Sequence, residues 1–239
     1  MKTYRVNAVM GGGALLSGNG LWNFGRGLWR RVLTSLISSK PLAGVELLSL
    51  VAADSSRLTV GAFFTLMMGL SLAAMTLFLY PVFRKDSEEL ALGMLLFRGA
   101  LEGTWYFIST ISILALVALG NEYIATGANS AALQSMGNVW YQFQDRLGAV
   151  GYIFFLIGAA CLYVSFYRTR LIPRWLSVWG LIGVVSTMAS TLLHLFHMET
   201  GYEFYMEMVL APQEMVMAAW LIVKGFNPSA IAALFAKTE

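Results

Sequence analysis

Long apolar segments constrain the fold of this chain more than any other feature of its sequence. A helix needs roughly 20 predominantly apolar residues to cross the hydrocarbon core of a bilayer. Five segments meet this requirement, at about residues 59–83, 90–119, 146–167, 175–196 and 203–224. A sixth, at about residues 6–25, is apolar but rich in glycine and asparagine. The sequence therefore predicts an all-α, polytopic bundle of six transmembrane helices that forms one integral membrane domain over residues 1–239.

The composition supports a membrane location and excludes several classes of protein. Hydrophobic residues make up 58% of the chain and charged residues only 12%, whereas soluble domains have about 25% charged residues. The net charge is +3, and the cations lie between apolar segments rather than along one stripe, which argues against a nucleic-acid partner. Cys161 is the only cysteine, so neither an internal disulfide nor a cysteine-based zinc site can form.

The basic residues predict how the spans are oriented. Cytoplasmic loops are enriched in lysine and arginine. With six spans, one side of the membrane receives both termini and most of the short basic stretches, which contain Lys2, Arg5, Arg84, Lys85, Arg168, Arg170, Arg174 and Lys224. We therefore expect cytoplasmic N- and C-termini and two long external loops, at residues 26–57 and 120–145. The first loop is also basic, and we predict an amphipathic helix at residues 27–39 that lies along the membrane interface and reduces this conflict.

An arginine and a glutamate lie one helical turn apart inside the third span. At a rise of about 1.5 Å per residue, Arg98 is roughly 12 Å and Glu102 roughly 18 Å from the cytoplasmic end of that span. Counted back from Lys224, Glu214 in the sixth span lies at about 15 Å, next to Gln213. An unpaired charge at this depth costs at least ~3 kcal/mol, and arginine does not lose its proton. We therefore predict that Arg98 is held between Glu102 and Glu214.

Two roles for this midplane cluster of Arg98, Glu102, Gln213 and Glu214 are compatible with the sequence. With one guanidinium for two carboxyl groups, a proton could be shared, and such a group could carry protons, act as a general acid or anchor a ligand. The cluster could equally be a structural ion pair that fixes the register of two helices. Pro212, next to Gln213, removes one helix hydrogen bond close to these side chains.

A second polar layer is predicted near the external face, formed by Asp145, Arg146, His194, His197, Glu199, Glu203 and Glu207. His194 and His197 are spaced i, i+3, and Glu203 and Glu207 are spaced i, i+4, so each pair is expected on one helix face. Two histidines and a carboxylate could hold a divalent metal, which makes His194 and His197 weak candidate ligands. The alternative is a helix end that lies among lipid headgroups, and this is the interpretation that we favour. The sequence identifies no cofactor.

Two stretches carry specific motifs: LFLYPVFRKDSEELALGMLLFRGALEG at residues 77–103, and RTRLIPRWLSVWGLIG…APQEMVMAAWLIVKGFNPSAI within residues 168–231. These motifs resemble a family of bacterial multi-pass membrane proteins known as domain of unknown function 4386, over about residues 5–231. The resemblance implies a location in the bacterial cytoplasmic (inner) membrane. It also implies that the positions of Arg98, Glu102, Gln213 and Glu214, with a polar position near Asp145, belong to the family pattern. The histidine pair and the first helix do not match that pattern, and no activity comes with the resemblance.

Three functions remain open from the sequence. The first is a protein that binds or translocates a small amphiphilic or lipid-like ligand at the midplane cluster, in which intramembrane charges mark the site. The second is a non-catalytic accessory subunit, whose partners would be other membrane subunits or a second copy of the chain. The third is an intramembrane enzyme that uses Glu102 or Glu214 as a general acid or base. The sequence favours a non-enzymatic role over an enzymatic one.

Overall fold

The computed structural model describes residues 9–10, 45–198 and 200–236, with side chains except at positions 45, 46 and 145. No strand occurs in these ranges, and eight helices follow residue 44: α1 (Val45–Ala53), α2 (Ser55–Phe83), α3 (Glu88–Ala125), α4 (Ala131–Thr169), α5 (Arg174–Leu195), α6 (Glu203–Glu207), α7 (Ala211–Val223) and α8 (Pro228–Ala236). Apart from residues 9–10, which are helical, the predicted first span at about residues 6–25 lies outside the described residues. The predicted interfacial helix at residues 27–39 also lies outside them.

Five stretches of helix are long and apolar enough to cross a membrane: α2, α3, α4, α5 and the pair α6 and α7, which together cover Glu203–Val223. They coincide with the five strongest predicted spans. The all-α fold and the membrane character of the chain are therefore confirmed. The total of six spans, the cytoplasmic position of the termini and the single-domain organisation stay predictions.

The predicted external loop at residues 120–145 is helical for most of its length, and its external position stays a prediction. Helix α3 continues to Ala125 and α4 already begins at Ala131, so only residues 126–130 connect them. The polar residues of this segment suggested a loop, but they lie within a helix, and the Gln134 side-chain amide donates to the Tyr123 hydroxyl at 2.7 Å. Leu133 and Trp140 pack against a buried apolar cluster, and the Trp140 indole Nε1–H donates to the Ser112 carbonyl at 2.9 Å. This packing supports a helix longer than a bilayer requires.

The other predicted external loop, at residues 26–57, also contains helix. Residues Val45–Ala53 form α1, and α2 begins at Ser55, four residues before the expected start of the second span. Leu48 and Val51 of α1 are fully buried, and they belong to the same apolar cluster as Leu116 of α3. Burial of these side chains stabilises a helix that is too short to cross a membrane.

The described residues divide into two compact units. The first unit contains residues 9–10, 69–104, 149–198 and 200–236, and the second contains residues 45–68 and 105–148. The core of the second unit is the apolar cluster around Leu48, Leu116 and Tyr123. All the residues of the midplane cluster lie in the first unit, and the site is described within that unit alone.

Candidate buried charge site

Arg98 lies in an irregular part of α3. Residues Glu88–Met94 are α-helical, Leu95–Leu101 form a π-helix, and the α-helix resumes at Glu102. The Glu102 backbone N–H donates to the Phe97 carbonyl, five residues earlier, instead of four earlier as in an α-helix. The additional residue per turn widens the helix at Arg98. Such π-helical turns are rare and occur frequently at functional sites.

Two glycines allow neighbouring helices to approach this π-helical segment closely. A Cβ atom on Gly158 of α4 would lie 2.6 Å from the backbone nitrogen and from Cβ of Arg98. A Cβ atom on Gly99 would lie 2.5 Å from Oγ1 of Thr76 in α2. Both distances are too short for any side chain, and small residues of this kind permit close helix contacts in membranes. The backbone at Arg98 is therefore enclosed by α2 and α4.

The guanidinium group of Arg98 contacts two carboxylates. Its Nη2 donates to Oε1 of Glu214 at 2.6 Å, and its Nη1 lies 3.5 Å from Oε2 of Glu102. Arg98 is 1% exposed, Glu102 3% and Glu214 7%, so all three charges are removed from solvent. The Phe155 ring of α4 lies 4.4 Å from Cζ of Arg98, close enough for a cation–π interaction. We call Arg98, Glu102 and Glu214 the buried charge cluster.

The two carboxylates are not equivalent. The bond from Arg98 to Glu214 is short and charge-assisted, which is the stronger kind of hydrogen bond. Oε2 of Glu102 is buried, and no described residue donates a hydrogen bond to it. The Arg98 guanidinium lies 3.5 Å from this oxygen, outside hydrogen-bonding geometry. A buried carboxylate oxygen without a donor is costly, and its retention needs a reason beyond stability.

Glu214 occupies the first turn of a helix that begins inside the apolar segment. The predicted single helix at residues 203–224 is interrupted: α6 ends at Glu207, a turn covers residues 208–210, and α7 begins at Ala211. Pro212 causes this break because it cannot donate a backbone hydrogen bond and its ring clashes with the preceding turn. The positive end of the α7 dipole adds to the stabilisation of the Glu214 carboxylate.

The break exposes backbone carbonyl groups, and side chains of α5 satisfy them. The Trp179 indole Nε1–H donates to the Val209 carbonyl at 2.9 Å, and the Ser186 hydroxyl donates to the Met206 carbonyl at 2.9 Å. Gly183 of α5 permits this contact, since a Cβ atom there would lie 2.9 Å from Leu210. Irregular backbone is tolerated in a membrane only where neighbouring helices supply such bonds.

Gln213 is fully buried but belongs to a separate hydrogen-bond network. Its Nε2 donates to the Leu176 carbonyl at 2.9 Å, and its Oε1 accepts a 2.6 Å bond from the Tyr163 hydroxyl. The sequence did not single out Tyr163, because a tyrosine near the end of a predicted span is usually an interfacial anchor. Here Tyr163 is 0% exposed. The sequence signal for a buried Tyr163 is Gly180 of the neighbouring helix. A Cβ atom at residue 180 would lie 2.5 Å from the Tyr163 ring.

The predicted outer polar layer as a whole stays a prediction, because its members belong to both units and part of it lies outside the described side chains. Helix α5 ends at Leu195, and His197 lies beyond it with φ = 56°. The expectation that His194 and His197 share a helix face is therefore wrong, because the chain turns out of the helix between them. Within the described residues, no group of three or more His, Cys, Asp or Glu side chains is placed to hold a metal.

The carboxylates of this layer have local roles. Glu203 accepts hydrogen bonds from the backbone N–H and the hydroxyl of Thr200. Glu207 accepts a 3.2 Å bond from the Ser190 hydroxyl of α5. Arg146 is exposed and belongs to the second unit, and the side chain of Asp145 and all of residue 199 lie outside the described part of the chain.

Comparison with known proteins identifies the family of the chain but not an activity. The model of one family, described as a domain of unknown function (DUF4386), matches residues 31–225. Neither the curated proteins nor the solved structures give a match. The family match extends over all five helical stretches that could cross a membrane and over the whole buried charge cluster. This chain is therefore a member of the DUF4386 family of membrane proteins.

Proposed function

We propose that this protein, in the cytoplasmic membrane of a bacterium, binds a small amphiphilic or lipid-like ligand at the buried charge cluster. The observation that supports this proposal is the burial of the Glu102 carboxylate without a hydrogen-bond donor to its Oε2 among the described residues. Glu102 is 3% exposed. A hydrogen-bond donor on the polar head of a ligand would satisfy this oxygen and offset the cost of its burial.

The charge balance defines the chemistry of such a ligand. One guanidinium faces two carboxylates, so the cluster is left with an excess of one negative charge when all three groups are ionised. The guanidinium is already engaged with Glu214 at 2.6 Å. A hydroxyl or ammonium group that donates to Glu102 is therefore a better complement than a carboxylate or phosphate, which Glu102 would repel.

The backbone around the cluster is typical of a binding site in a membrane. Arg98 lies in a π-helical segment, and Glu214 lies just after a proline break in the sixth predicted span. Interrupted helices of this kind form the ligand sites of many transporters, and π-helical turns occur frequently at functional sites. The Phe155 ring adds an apolar surface against Arg98, and Met94 and Met217, about one helical turn from Arg98 and from Glu214, are fully buried.

The ligand proposal can be tested by native mass spectrometry of protein extracted in a mild detergent. We expect wild-type protein to retain a small molecule and the Glu102→Gln variant to retain at least about tenfold less, as loss of a hydrogen bond to a charged group predicts. Glu122→Gln is the matched control, since Glu122 is an exposed carboxylate of the same helix. Equal retention by Glu102→Gln and Glu122→Gln, or no bound molecule in the wild type, would contradict the proposal.

The same preparation separates the two alternative functions. An accessory subunit would co-purify in a fixed ratio with other membrane polypeptides, and the Glu102→Gln substitution would leave that ratio unchanged. An enzyme would convert the retained molecule, and the Glu102→Gln variant would retain it unconverted. The ligand proposal rests on Glu102, whereas no contact in the described residues favours either alternative.

A further inference from the structure

A second site candidate lies away from the buried charge cluster, at one end of the helices of the first unit. The connection between α4 and α5, the end of α7 and the start of α8 line an open cavity of about 460 Å³. Arg170, Arg174 and Lys224 line it, and Trp220 forms part of its apolar wall. We call this cavity the basic pocket.

The basic pocket has an uncompensated positive charge. Three cations line it and no acidic residue does. The ion pairs found among the described residues involve none of the three, although the neighbouring Arg168 pairs with Asp86 at 2.9 Å. Mutual repulsion between such cations is relieved when an anion binds among them.

The backbone of the basic pocket is rigid and adds to its preference for anions. Leu171 and Ile172 are 0% and 2% exposed, and the Asn227 backbone N–H donates to the Leu171 carbonyl at 2.9 Å. Arg170 adopts φ = 55°, a conformation that costs energy outside glycine and is held by its surroundings. Helix α5 begins at Arg174, and the first N–H groups of a helix have no acceptor within it, which favours a nearby anion.

The position of the basic pocket suits an anion at the membrane surface. Arg174 and Lys224 border the ends of α5 and α7, which are both parts of candidate spans. Trp220 lines the cavity, and Trp175 next to Arg174 is 54% exposed, as expected for aromatic residues at the level of the headgroups. Basic pockets between membrane helices recognise phosphate-bearing headgroups.

We propose that Arg170, Arg174 and Lys224 form a binding site for a phosphate monoester or diester, the chemistry shared by anionic lipid headgroups and free phosphate compounds. Each lysine or arginine near an anionic membrane surface contributes about fivefold to the affinity for that surface, and three contribute on the order of 100-fold. The phosphate site is independent of the ligand proposed at Glu102, because it involves none of the same side chains.

The phosphate site can be tested by comparing retention of phosphatidylglycerol and phosphatidylcholine in nanodiscs, using native mass spectrometry after release. We expect wild-type protein to retain phosphatidylglycerol and the triple variant Arg170→Gln, Arg174→Gln, Lys224→Gln to lose it. The control triple variant Arg57→Gln, Arg84→Gln, Lys85→Gln changes the net charge equally and leaves the pocket intact, so it should retain the lipid. If wild-type protein prefers phosphatidylglycerol and both triple variants retain it equally well, the site is overturned.

A second arm distinguishes a free phosphate compound from a lipid. Inorganic phosphate and glycerol phosphate are added to delipidated wild-type protein, and the melting temperature is measured against equal concentrations of chloride. A rise with phosphate, absent in the single variant Lys224→Gln, together with no preference for phosphatidylglycerol, would identify a soluble phosphate as the ligand. Should the pocket triple variant fail to fold, Lys224→Gln replaces it in the lipid arm, with an expected loss of about fivefold. No lipid preference and no phosphate effect in the wild type would reject the proposal.

Discussion

Arg98 makes its shorter contact with Glu214, 116 residues away along the chain, and not with Glu102 in the following turn of its own helix. The Nη2–Oε1 distance to Glu214 is 2.6 Å, whereas the Nη1–Oε2 distance to Glu102 is 3.5 Å. The first contact joins α3 to the start of α7, and the second lies within α3. Glu214 is therefore the carboxylate that joins α3 to α7 through Arg98, whereas the proposed ligand contact belongs to Glu102.

Removal of the arginine should destabilise the protein strongly. Arg98→Met leaves two carboxylates buried without their cation, and breaking a buried pair in this way costs about 3–5 kcal/mol. The measurement is the free energy of unfolding in detergent. Arg84→Met, at an exposed position, should change it by less than about 0.5 kcal/mol. Similar stabilities of the two variants would show that the cluster does not hold the fold.

Substitution of the two carboxylates should have unequal effects on stability. Glu214→Gln replaces the ion-paired hydrogen bond from Arg98 with one to an uncharged amide oxygen and should cost about 1.5–3 kcal/mol. Glu102→Gln removes no hydrogen bond that a described residue donates to Oε2 and should cost less. Both are measured by thermal unfolding of protein that has been washed free of small molecules. If Glu102→Gln were the more destabilising substitution, Glu102 and not Glu214 would be the structural partner of Arg98.

The sequence could predict the buried charge cluster because the evidence for it lies within single predicted spans. Apolar length and the helical rise per residue place Arg98 and Glu214 at similar depths, and the cost of an unpaired charge then requires contact. The π-helical segment and the role of Tyr163 could not be predicted, because both depend on which helices pack together. The helix at residues 131–145 was missed for a similar reason. Its polar residues were visible in the sequence, whereas the apolar cluster that Trp140 packs against exists only in the folded chain.

A methyl group at residue 158 should disturb the contact between α4 and Arg98. Gly158→Ala places Cβ 2.6 Å from the Arg98 backbone nitrogen, and such overpacking costs about 1–3 kcal/mol. Gly148 lies in the same helix, and a Cβ atom added there would have nothing within 4 Å. Gly148→Ala should therefore be neutral or stabilise by up to about 1 kcal/mol through helix propensity. Melting temperatures of the two variants measure the difference, and equal values would mean that α4 is not tightly packed at Arg98.

The orientation of the spans predicts which ends of α3 react with a membrane-impermeant thiol reagent. In a Cys161→Ala background, Asn129→Cys should be labelled from outside intact cells. Arg84→Cys should be labelled only after the membrane is permeabilised, because basic stretches stay in the cytoplasm. Labelling in the reverse order would invert the predicted topology. Labelling of both positions in intact cells would show that α3 does not cross the membrane.

The Tyr163→Phe variant tests whether the hydrogen bonds of Gln213 stabilise the protein independently of the buried charge cluster. Tyr163→Phe keeps the ring against Gly180 and leaves Oε1 of Gln213 buried without its donor, which should cost about 1–3 kcal/mol. Tyr205→Phe is the control, since Tyr205 is 68% exposed and should change the unfolding free energy by less than about 0.5 kcal/mol.

Because the Tyr163 hydroxyl donates to Gln213 and not to a carboxylate of the charge cluster, combining Tyr163→Phe with Glu102→Gln should give additive losses of unfolding free energy. A coupling above about 0.5 kcal/mol would instead join the two networks into one site.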